Sequence, residues 1–333
     1  ALQAGGDVGS YNAGTQEYNN FAGDTTQTHQ NEGQVYYNTT TNLLKLTATV
    51  YGTGTWASGG TLNTGRSDSA ASINGTQDSS LIAGGASTGG RVAISESYNG
   101  TSWTEVNDLN TARNVLAGAG TATAMLAFGG EITANSALTE SWNGSSWTEV
   151  GDLNSARYYL AGAGTQTAGL AFGGDNPVTG KTESWNGSAW TEVADLNKAR
   201  YGAAGMGTQT AALAAAGYNG GNISEAETWN GSSWTEVNDL NTAASRLAGA
   251  GSQTSAIVFG GFTPSATAKT ESWNGSSWTE VNDLATARRN LMGTGTSTLG
   301  LAIGGTPNGS AQPGVTEEWT VPSSLSNVTV ASS

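Results

Sequence analysis

The chain contains no cysteine and a single histidine, His29, among its 333 residues. The absence of cysteine excludes disulfides, thiolate metal sites and cysteine nucleophiles. One histidine, in a polar N-terminal segment, argues against zinc sites, copper sites and a serine–histidine–aspartate triad, and leaves no general base tuned near neutrality. We therefore interpret His29 as a solvated loop residue and expect no metal, no cofactor and no enzymatic activity.

Positive charge is also scarce, with 12 lysines and arginines against 26 acidic residues and a net charge of −14. Because a nucleic-acid surface needs clustered lysine and arginine, we expect no nucleic-acid partner. No apolar run approaches the roughly 20 residues that span a bilayer, so we expect no membrane span, and no signal peptide is evident. Few charged residues (11%) and 49 glycines favour a large β-rich protein.

Tryptophan, by contrast, is plentiful, and all 11 residues fall into two columns of one internal repeat about 44 residues long. The first column, in which Tyr51 is a candidate early member, contains Tyr98, Trp142, Trp185, Trp229, Trp273 and Trp319. The second contains Trp56, Trp103, Trp147, Trp190, Trp234 and Trp278. Glycine, serine and threonine punctuate this period, which is typical of a four-stranded propeller blade rather than of a helical solenoid.

Each copy has room for four strands, A to D in chain order. In one copy we predict them at residues 158–164, 169–172, 181–185 and 190–193. The Asn-Gly pair between strands C and D indicates a two-residue type I′ hairpin, because both residues tolerate positive φ. Such a turn sets Trp142 opposite Ser145 and Glu140 opposite Trp147, with both indoles diagonal on one face. We expect the indoles to pack between adjacent blades.

Four features recur in at least five copies: paired glycines after strand B, an aromatic residue in strand C, a tryptophan in strand D and an arginine before the next strand A. This pattern resembles the kelch repeat, and the chain is similar to a kelch-type β-propeller from about residue 54 to 321. The resemblance implies an all-β fold. It does not carry over the activity of galactose oxidase, an enzyme with kelch repeats, because that copper site needs histidines and a cysteine.

The two ends of the repeat region are incomplete copies. Arg66 follows Trp56 by ten residues, as Arg113 follows Trp103, so Trp56 belongs to a strand D. The last copy, which ends near Trp319, supplies strands A, B and C only. We predict that the two fragments complete one blade, with Trp56 beside Trp319. This N-terminal strand closes a ring of six four-stranded blades and protects the sheet edges.

The domain organisation follows from this closure. We predict an N-terminal arm or tether at residues 1–50, a β-propeller at 51–321 and a C-terminal extension at 322–333. Seven blades are the alternative, because residues 2–6 and 15–19 echo strands B and C.

Carboxylates also recur in columns, one of which contains Glu96, Glu140, Glu183, Glu227, Glu271 and Glu317. The repeated arginines are Arg66, Arg113, Arg157, Arg200 and Arg288. Ring symmetry could arrange the carboxylates as a cation site, but no calcium loop with alternating oxygen ligands is present. We therefore interpret the glutamates as cross-strand partners of the arginines, and the repeated aspartates as caps of turns.

The copies differ mainly in the B–C loops and just after the repeated arginine, and both places lie on one face of the ring. Aromatic faces can stack on sugar rings, and arginine or asparagine supplies directed hydrogen bonds. Loop variation without any binding role is the alternative for each residue. The predicted ligand contacts are Tyr158, Tyr159, Tyr201, Tyr218, Arg246, Phe262, Arg289 and Asn290.

Residues 33–45, followed by Gly54, Thr55 and Trp56, resemble a short β-hairpin element of bacteriophage tail-fibre and other virion appendage proteins. Near-identical copies rich in asparagine, glycine, serine and threonine are similarly found in phage structural proteins. The resemblance implies a virion or extracellular-surface location and a non-enzymatic module that binds a host surface glycan or protein. It also implies contacts with neighbouring virion subunits, and a homo-oligomer is compatible with it. The alternative is a structural decoration or joining protein of a capsid, tail or filament.

Overall fold

The computed structural model describes residues 35–38, 43–308 and 312–329. Within these ranges the regular secondary structure consists of β-strands, with no helix. The chain forms two compact units, Thr53–Val321 and a smaller one made of Ala1–Gly52 with Pro322–Ser333. His29 and the two segments predicted to echo a seventh blade lie outside the described residues.

The strands alternate with turns along the whole described chain. The first three are β1 (Val35–Asn38), β2 (Leu43–Tyr51) and β3 (Thr55–Ser58). Blade 1 contains β4 (Ala70–Ala71), β5 (Ser80–Ala83), the small hairpin of β6 (Ala86–Ser87) and β7 (Gly90–Arg91), then β8 (Ser95–Tyr98) and β9 (Trp103–Val106). Blade 2 contains β10 (Ala117–Thr121), β11 (Ala124–Phe128), β12 (Thr139–Trp142) and β13 (Trp147–Glu149). Blade 3 contains β14 (Ala161–Gly164), β15 (Gly169–Phe172), β16 (Thr182–Trp185) and β17 (Trp190–Val193).

The second half of the ring repeats this order. Blade 4 contains β18 (Ala204–Gly207), β19 (Ala212–Tyr218), β20 (Asn222–Trp229) and β21 (Trp234–Val237). Blade 5 contains β22 (Ala248–Gly251), β23 (Ala256–Phe259), β24 (Thr270–Trp273) and β25 (Trp278–Val281). Blade 6 contains β26 (Met292–Gly295), β27 (Leu299–Ile303) and β28 (Thr316–Thr320), and β29 (Ser323–Thr329) follows it.

The larger unit is a six-bladed β-propeller closed by its N-terminal strand. Strand β3 pairs antiparallel with β28, which sets Trp56 opposite Trp319 and completes the fourth strand of blade 6. The first strands of successive blades contact one another around the ring, from β4 through β10, β14, β18 and β22 to β26 and back to β4. The predicted closure and the predicted count of six blades are both confirmed.

The predicted type I′ turn and its strand register are wrong. Trp142 pairs directly with Trp147, and four residues rather than two connect β12 to β13. The side chain of Asn143 explains the difference, because its Oδ1 accepts hydrogen bonds from the backbone N–H groups of Ser145 and Ser146, both at 2.9 Å. Positive φ is then needed only at Gly144 (+95°). The indoles therefore lie side by side, with ring centroids 5.4 Å apart.

The tryptophans pack between blades, as predicted. Trp142 and Trp147 of blade 2 pack against Leu81 and Ala83 of blade 1. The Nε1–H of Trp147 also donates a hydrogen bond to Ser95 Oγ of blade 1 at 3.1 Å. Because the other core residues are mostly alanine, leucine and glycine, these indoles supply much of the apolar area buried between neighbouring sheets.

Glycine in the first strands allows the blades to converge. A Cβ atom on Gly162 of blade 3 would lie 2.3 Å from the carbonyl oxygen of Gly118 in blade 2. On Gly205 of blade 4 it would lie 2.4 Å from the carbonyl oxygen of Gly162. Side chains at these positions would push the sheets apart, so the alternating alanine and glycine of the repeat sets the radius of the ring.

The repeated arginines and glutamates form buried ion pairs within five blades. Arg113 Nη1 donates to Glu140 Oε1 at 2.6 Å, and the other pairs are Arg66–Glu96, Arg157–Glu183, Arg200–Glu227 and Arg288–Glu317. The second oxygen of Glu140 accepts from the backbone and side-chain nitrogens of Asn110, at 2.7 and 2.8 Å. Each pair thus ties the segment before strand A to strand C, which confirms the structural interpretation for five of the six glutamates in the column.

The smaller unit is a three-stranded antiparallel sheet in the order β1, β2, β29. Strands β1 and β2 form a hairpin, and β2 pairs along its length with β29, from Lys45 opposite Thr329 to Tyr51 opposite Ser323. Residues before and after the propeller therefore pair with each other in one sheet. Val50 and Tyr51 are exposed on it.

Candidate functional site

A closed cycle of backbone hydrogen bonds surrounds the axis of the propeller. Each of the six blades contributes one residue to the cycle. This residue is the second after the repeated arginine or, in blade 5, the second after Ala244, which stands at the arginine's position. Each N–H group donates to the carbonyl oxygen of the equivalent residue in the preceding blade, over 2.6 to 3.0 Å. All six residues have a φ between +52° and +61°. The members of this axial cycle are Asp68, Val115, Tyr159, Gly202, Arg246 and Asn290.

This conformation corrects the predicted beginning of strand A. We predicted that strand A of blade 3 begins at Tyr158, whereas β14 begins at Ala161. The φ of +52° at Tyr159 interrupts the extended chain, and Tyr158 forms only an isolated bridge with Asp175. The interruption turns the side chains of this segment toward the face that carries the B–C loops.

Equivalent bridges in the other blades pair the residue after the arginine, or after its blade 5 counterpart, with the first residue of the B–C loop. They are Ser67–Ala86, Asn114–Glu131, Tyr201–Tyr218, Ser245–Phe262 and Arg289–Thr306. Each blade therefore presents two bridge side chains on this face and, except in blade 4, where the cycle member is Gly202, one side chain from the axial cycle. The scaffold is common to all blades, and the side chains differ from blade to blade.

The structure brings the eight predicted contact residues together in one half-buried patch. Tyr158, Tyr159, Tyr201 and Tyr218 form a chain of neighbouring rings with centroids 5.1 to 5.7 Å apart. We call the whole group the aromatic–arginine patch; it consists of Tyr158, Tyr159, Tyr201, Tyr218, Arg246, Phe262, Arg289 and Asn290.

The arginines of the patch lie over its aromatic rings. The Cζ atom of Arg246 is 5.2 Å from the ring centroid of Tyr159 and 5.9 Å from that of Phe262. Arg289 approaches the same Phe262 ring at 4.9 Å. Cations over aromatic faces are held by the ring quadrupole, which orders the guanidinium groups without neutralising their charge.

A pocket of about 120 Å³ opens at the axis inside the cycle. Asp68, Tyr159, Arg246 and Asn290 line it, together with leucines of the layer beneath. Two buried polar atoms of this group have no hydrogen-bond partner, Arg246 Nε and Asn290 Oδ1. Such a volume holds several waters or a small polar group, because one water needs roughly 10 to 15 Å³.

Asp68 is the pocket residue that the sequence prediction did not select. Its Oδ2 accepts hydrogen bonds from Ser67 Oγ at 2.8 Å and Asn290 Nδ2 at 3.2 Å. The available signal was its position, since Asp68 follows Arg66 by two residues as Asn290 follows Arg288. The chemical types differ, and only the axial cycle shows that the two side chains meet.

Burial is the main cause of the pKa shifts of Asp68 and Tyr159, which line the pocket. Burial raises the pKa of Asp68 from 3.8 to about 6, although Ser67, Arg246 and other neighbours partly offset the increase. The sequence argument against a group tuned near neutrality rested on residue types and did not consider that burial shifts the pKa of a carboxyl group. Burial and the charge of Asp68 also raise the pKa of Tyr159, and burial together with Asp175 raises that of Tyr158. Both phenols thus remain hydrogen-bond donors at neutral pH.

The part of this face in blades 1 and 2 has a different character. The hairpin β6–β7 carries Arg91, whose Nη2 forms an ion pair with Glu131 at 2.5 Å and whose Nε donates to Asn114 at 3.0 Å. These polar groups are satisfied by one another. The aromatic and unpaired cationic groups are concentrated in blades 3 to 6, so the face is strongly asymmetric.

Blade 5 departs from the repeat, because Ala244 occupies the position of the repeated arginine. Glu271 keeps its position, is only 3% exposed and accepts hydrogen bonds from the backbone N–H groups of Asn241 and Thr242, at 2.8 and 2.9 Å. Beside it lies a cavity of about 10 Å³ lined by Ala244, Thr267 and other residues. The cavity has room for about one water.

Among the described residues, no group of three or more histidines, cysteines, aspartates and glutamates could hold a metal ion. The same part of the chain contains no helix long and apolar enough to cross a membrane. The fold and this face define a six-bladed β-propeller with one chemically differentiated face. Comparison with protein-family models and with curated proteins found no match.

Proposed function

We propose that the protein is a non-enzymatic binding module of the kelch type that recognises a surface component, preferentially a glycan, through the aromatic–arginine patch. The observation that carries the proposal is the convergence of eight variable residues into one patch on an otherwise copied scaffold. A rigid ring with a closed backbone cycle holds these side chains in place, which lowers the entropic cost of binding.

The chemistry of the patch suits a sugar. The chain of rings from Tyr158 to Tyr218 offers aromatic faces for the C–H side of a sugar ring. The phenol of Tyr159 stays protonated and can donate to a hydroxyl oxygen, whereas that of Tyr158 donates to Asp175. The unpartnered Asn290 Oδ1 offers an acceptor for a hydroxyl group.

We further propose that the module belongs to a virion appendage or an extracellular surface. The resemblance of residues 33–45 to an appendage hairpin and the near-identical repeats support this context. In such a setting the ligand is a host surface glycan or protein.

A structural joining role is the second candidate, and the smaller unit favours it. Its sheet has two edge strands, β1 and β29, and exposes Val50 and Tyr51. Unprotected edges and exposed apolar side chains are suited to pairing with neighbouring subunits.

A triple substitution tests the preferred function. Replacing Tyr158, Tyr159 and Tyr201 by serine should weaken binding on a glycan array while the protein stays folded. Each aromatic contact contributes about 0.5 to 1.5 kcal/mol beyond its buried area, so the combined loss is measurable. A matched control replaces serines of the exposed C–D turns by alanine, namely Ser145, Ser188 and Ser232.

Unchanged melting temperatures would establish that both variants are folded. Loss of binding in the turn control, with full binding by the tyrosine variant, would place recognition on the opposite face and refute the proposal. If no glycan binds but the protein assembles through β1 or β29, the joining role is supported instead.

A further inference from the structure

Two arginines in the part of the chain that the structure describes form no salt bridge. Of its 12 lysines and arginines, nine form salt bridges with glutamates. Within the described residues Arg246 and Arg289 form none, although the net charge of −14 leaves carboxylates in excess. Their position in the aromatic–arginine patch therefore concentrates positive charge at one place on a negative molecule.

Both arginines lie beside the same aromatic ring. Both guanidinium groups lie within 6 Å of the centroid of the Phe262 ring. Arg246 Nε is buried without an acceptor. Two like charges near one ring repel each other, and an anion bound beside them would reduce that repulsion.

The neighbouring carboxylate does not supply this anion. Asp68 lies beyond the 4.0 Å limit of a salt bridge to either arginine, and its Oδ2 already accepts hydrogen bonds from Ser67 and Asn290. Two buried polar atoms of the patch are left without a partner, the Arg246 Nε donor and the Asn290 Oδ1 acceptor, and they lie beside a row of aromatic faces.

We propose that the ligand is an acidic sugar whose anionic group, a carboxylate or a sulfate ester, is held by Arg246 and Arg289. This inference rests on the proposed glycan-binding function and specifies the substrate class. Guanidinium groups bind carboxylates and sulfates through paired, charge-assisted hydrogen bonds. The sugar ring then lies against the tyrosines, and one of its hydroxyl groups donates to Asn290 Oδ1.

The test compares matched glycans on the whole 333-residue chain. One set contains uronic-acid oligosaccharides and their carboxyl-reduced counterparts, and the other contains sulfated oligosaccharides and their desulfated counterparts. The anionic member of at least one set should bind about tenfold or more tightly than its neutral counterpart, because a hydrogen bond to a charged group contributes that much. The set that shows the difference identifies the anionic group.

The variants Arg246→Gln and Arg289→Gln should each abolish most of this preference, so that the ratio of acidic to neutral binding falls toward one. Arg91→Gln is the matched control, because Arg91 lies on the same face but is already paired with Glu131. Melting temperatures establish folding, and Arg289→Lys should retain part of the preference if charge is what the site requires.

The outcomes separate the two proposals. Equal binding of acidic and neutral sugars would overturn the inference while the glycan-binding function stands. Absence of binding to every glycan would overturn the function itself. Displacement of a bound glycan by an acidic peptide at equal affinity would show that the site reads charge alone, which contradicts the assignment to a sugar.

Discussion

At the scale of single residues, blade 5 shows what the repeated arginine contributes, because Ala244 replaces it while Glu271 remains buried. The arginine in the other blades fills space and gives the glutamate a cationic partner. Blade 5 retains the carboxylate and has a small cavity in place of the side chain.

We predict that Ala244→Arg stabilises the protein. After its neighbours adjust, the new guanidinium group should pair with Glu271 as Arg113 pairs with Glu140, raising the unfolding free energy by about 1.5 to 3 kcal/mol, the range for a hydrogen bond to a charged group. Urea denaturation measures the change. The control Ala243→Arg adds the same charge at an exposed neighbouring position. A gain equal to that of the control, or one that survives Glu271→Gln, would refute the pairing.

Asp68 leads to a prediction about pH. Its pKa is raised by burial from 3.8 to about 6, so the folded state holds its proton more tightly than the unfolded chain does. The stability that the neutral carboxyl confers is therefore fully present below pH 3.8 and is lost as the pH rises through about 6.

Melting curves between pH 4 and 7 should show this loss in the native protein, and Asp68→Asn should reduce it. The exposed Asp78 provides the control, since Asp78→Asn leaves the axial pocket intact. An identical pH profile for the native protein and Asp68→Asn would contradict the assignment.

At the scale of the blade, the C–D hairpin carries the indole that joins one blade to the next. Trp147→Ala should lower the unfolding free energy by about 3 to 5 kcal/mol, the usual cost of emptying a large aromatic site. Trp147→Phe should cost less, because a ring remains and only the hydrogen bond to Ser95 and part of the buried aromatic area are lost. Thr148→Ala, at an exposed neighbouring position, should be nearly neutral. Denaturant titration gives all three values, and a neutral Trp147→Ala would contradict the packing role.

The blade also shows where sequence reasoning succeeds and where it ends. The spacing of glycines, aromatics and arginine predicted the four strands because each blade is one copied unit. The predicted hairpin register was wrong because the Asn143 side chain accepts hydrogen bonds from the backbone of the turn. Residue types alone do not decide between this four-residue turn and a two-residue one. The first strand begins later than predicted because the φ of Tyr159 is set by a hydrogen bond to Val115 of another blade.

The candidate site could likewise be predicted from the sequence only in part. Comparison of the copies selected the eight residues of the patch, since departures from a repeated scaffold are visible in the sequence. The raised pKa of Asp68 and the unpaired state of Arg246 depend on burial and on neighbours from other blades. Those properties exist only in the closed ring.

At the scale of the whole molecule, the N-terminal strand closes the propeller. Beyond pairing with β28, Trp56 packs edge-on against Phe259 of blade 5 at 4.9 Å and donates from Nε1 to Thr270 Oγ1 at 3.2 Å. The single strand β3 thus completes the sheet of blade 6 and also attaches that blade to blade 5.

Two truncations test this closure. A chain of residues 53–321 should unfold cooperatively, because it retains all six complete blades. A chain of residues 60–321 lacks β3 and should lose about 3 to 5 kcal/mol or more, the cost of one buried indole at minimum. Its open edge at β28 should also cause self-association in size-exclusion chromatography. Equal stability and equal size of the two chains would show that β3 is dispensable.

The same closure imposes an order on synthesis. Strand β3 emerges from the ribosome before any blade, yet its partner β28 belongs to the last blade to be made. At roughly 5 to 20 residues per second, the early strand waits on the order of tens of seconds for its partner. During that interval five blades can form, but their arc has two unprotected ends. A nascent chain of this protein is thus most exposed to wrong pairing with a neighbouring nascent copy, whose identical repeats offer the same strand edges.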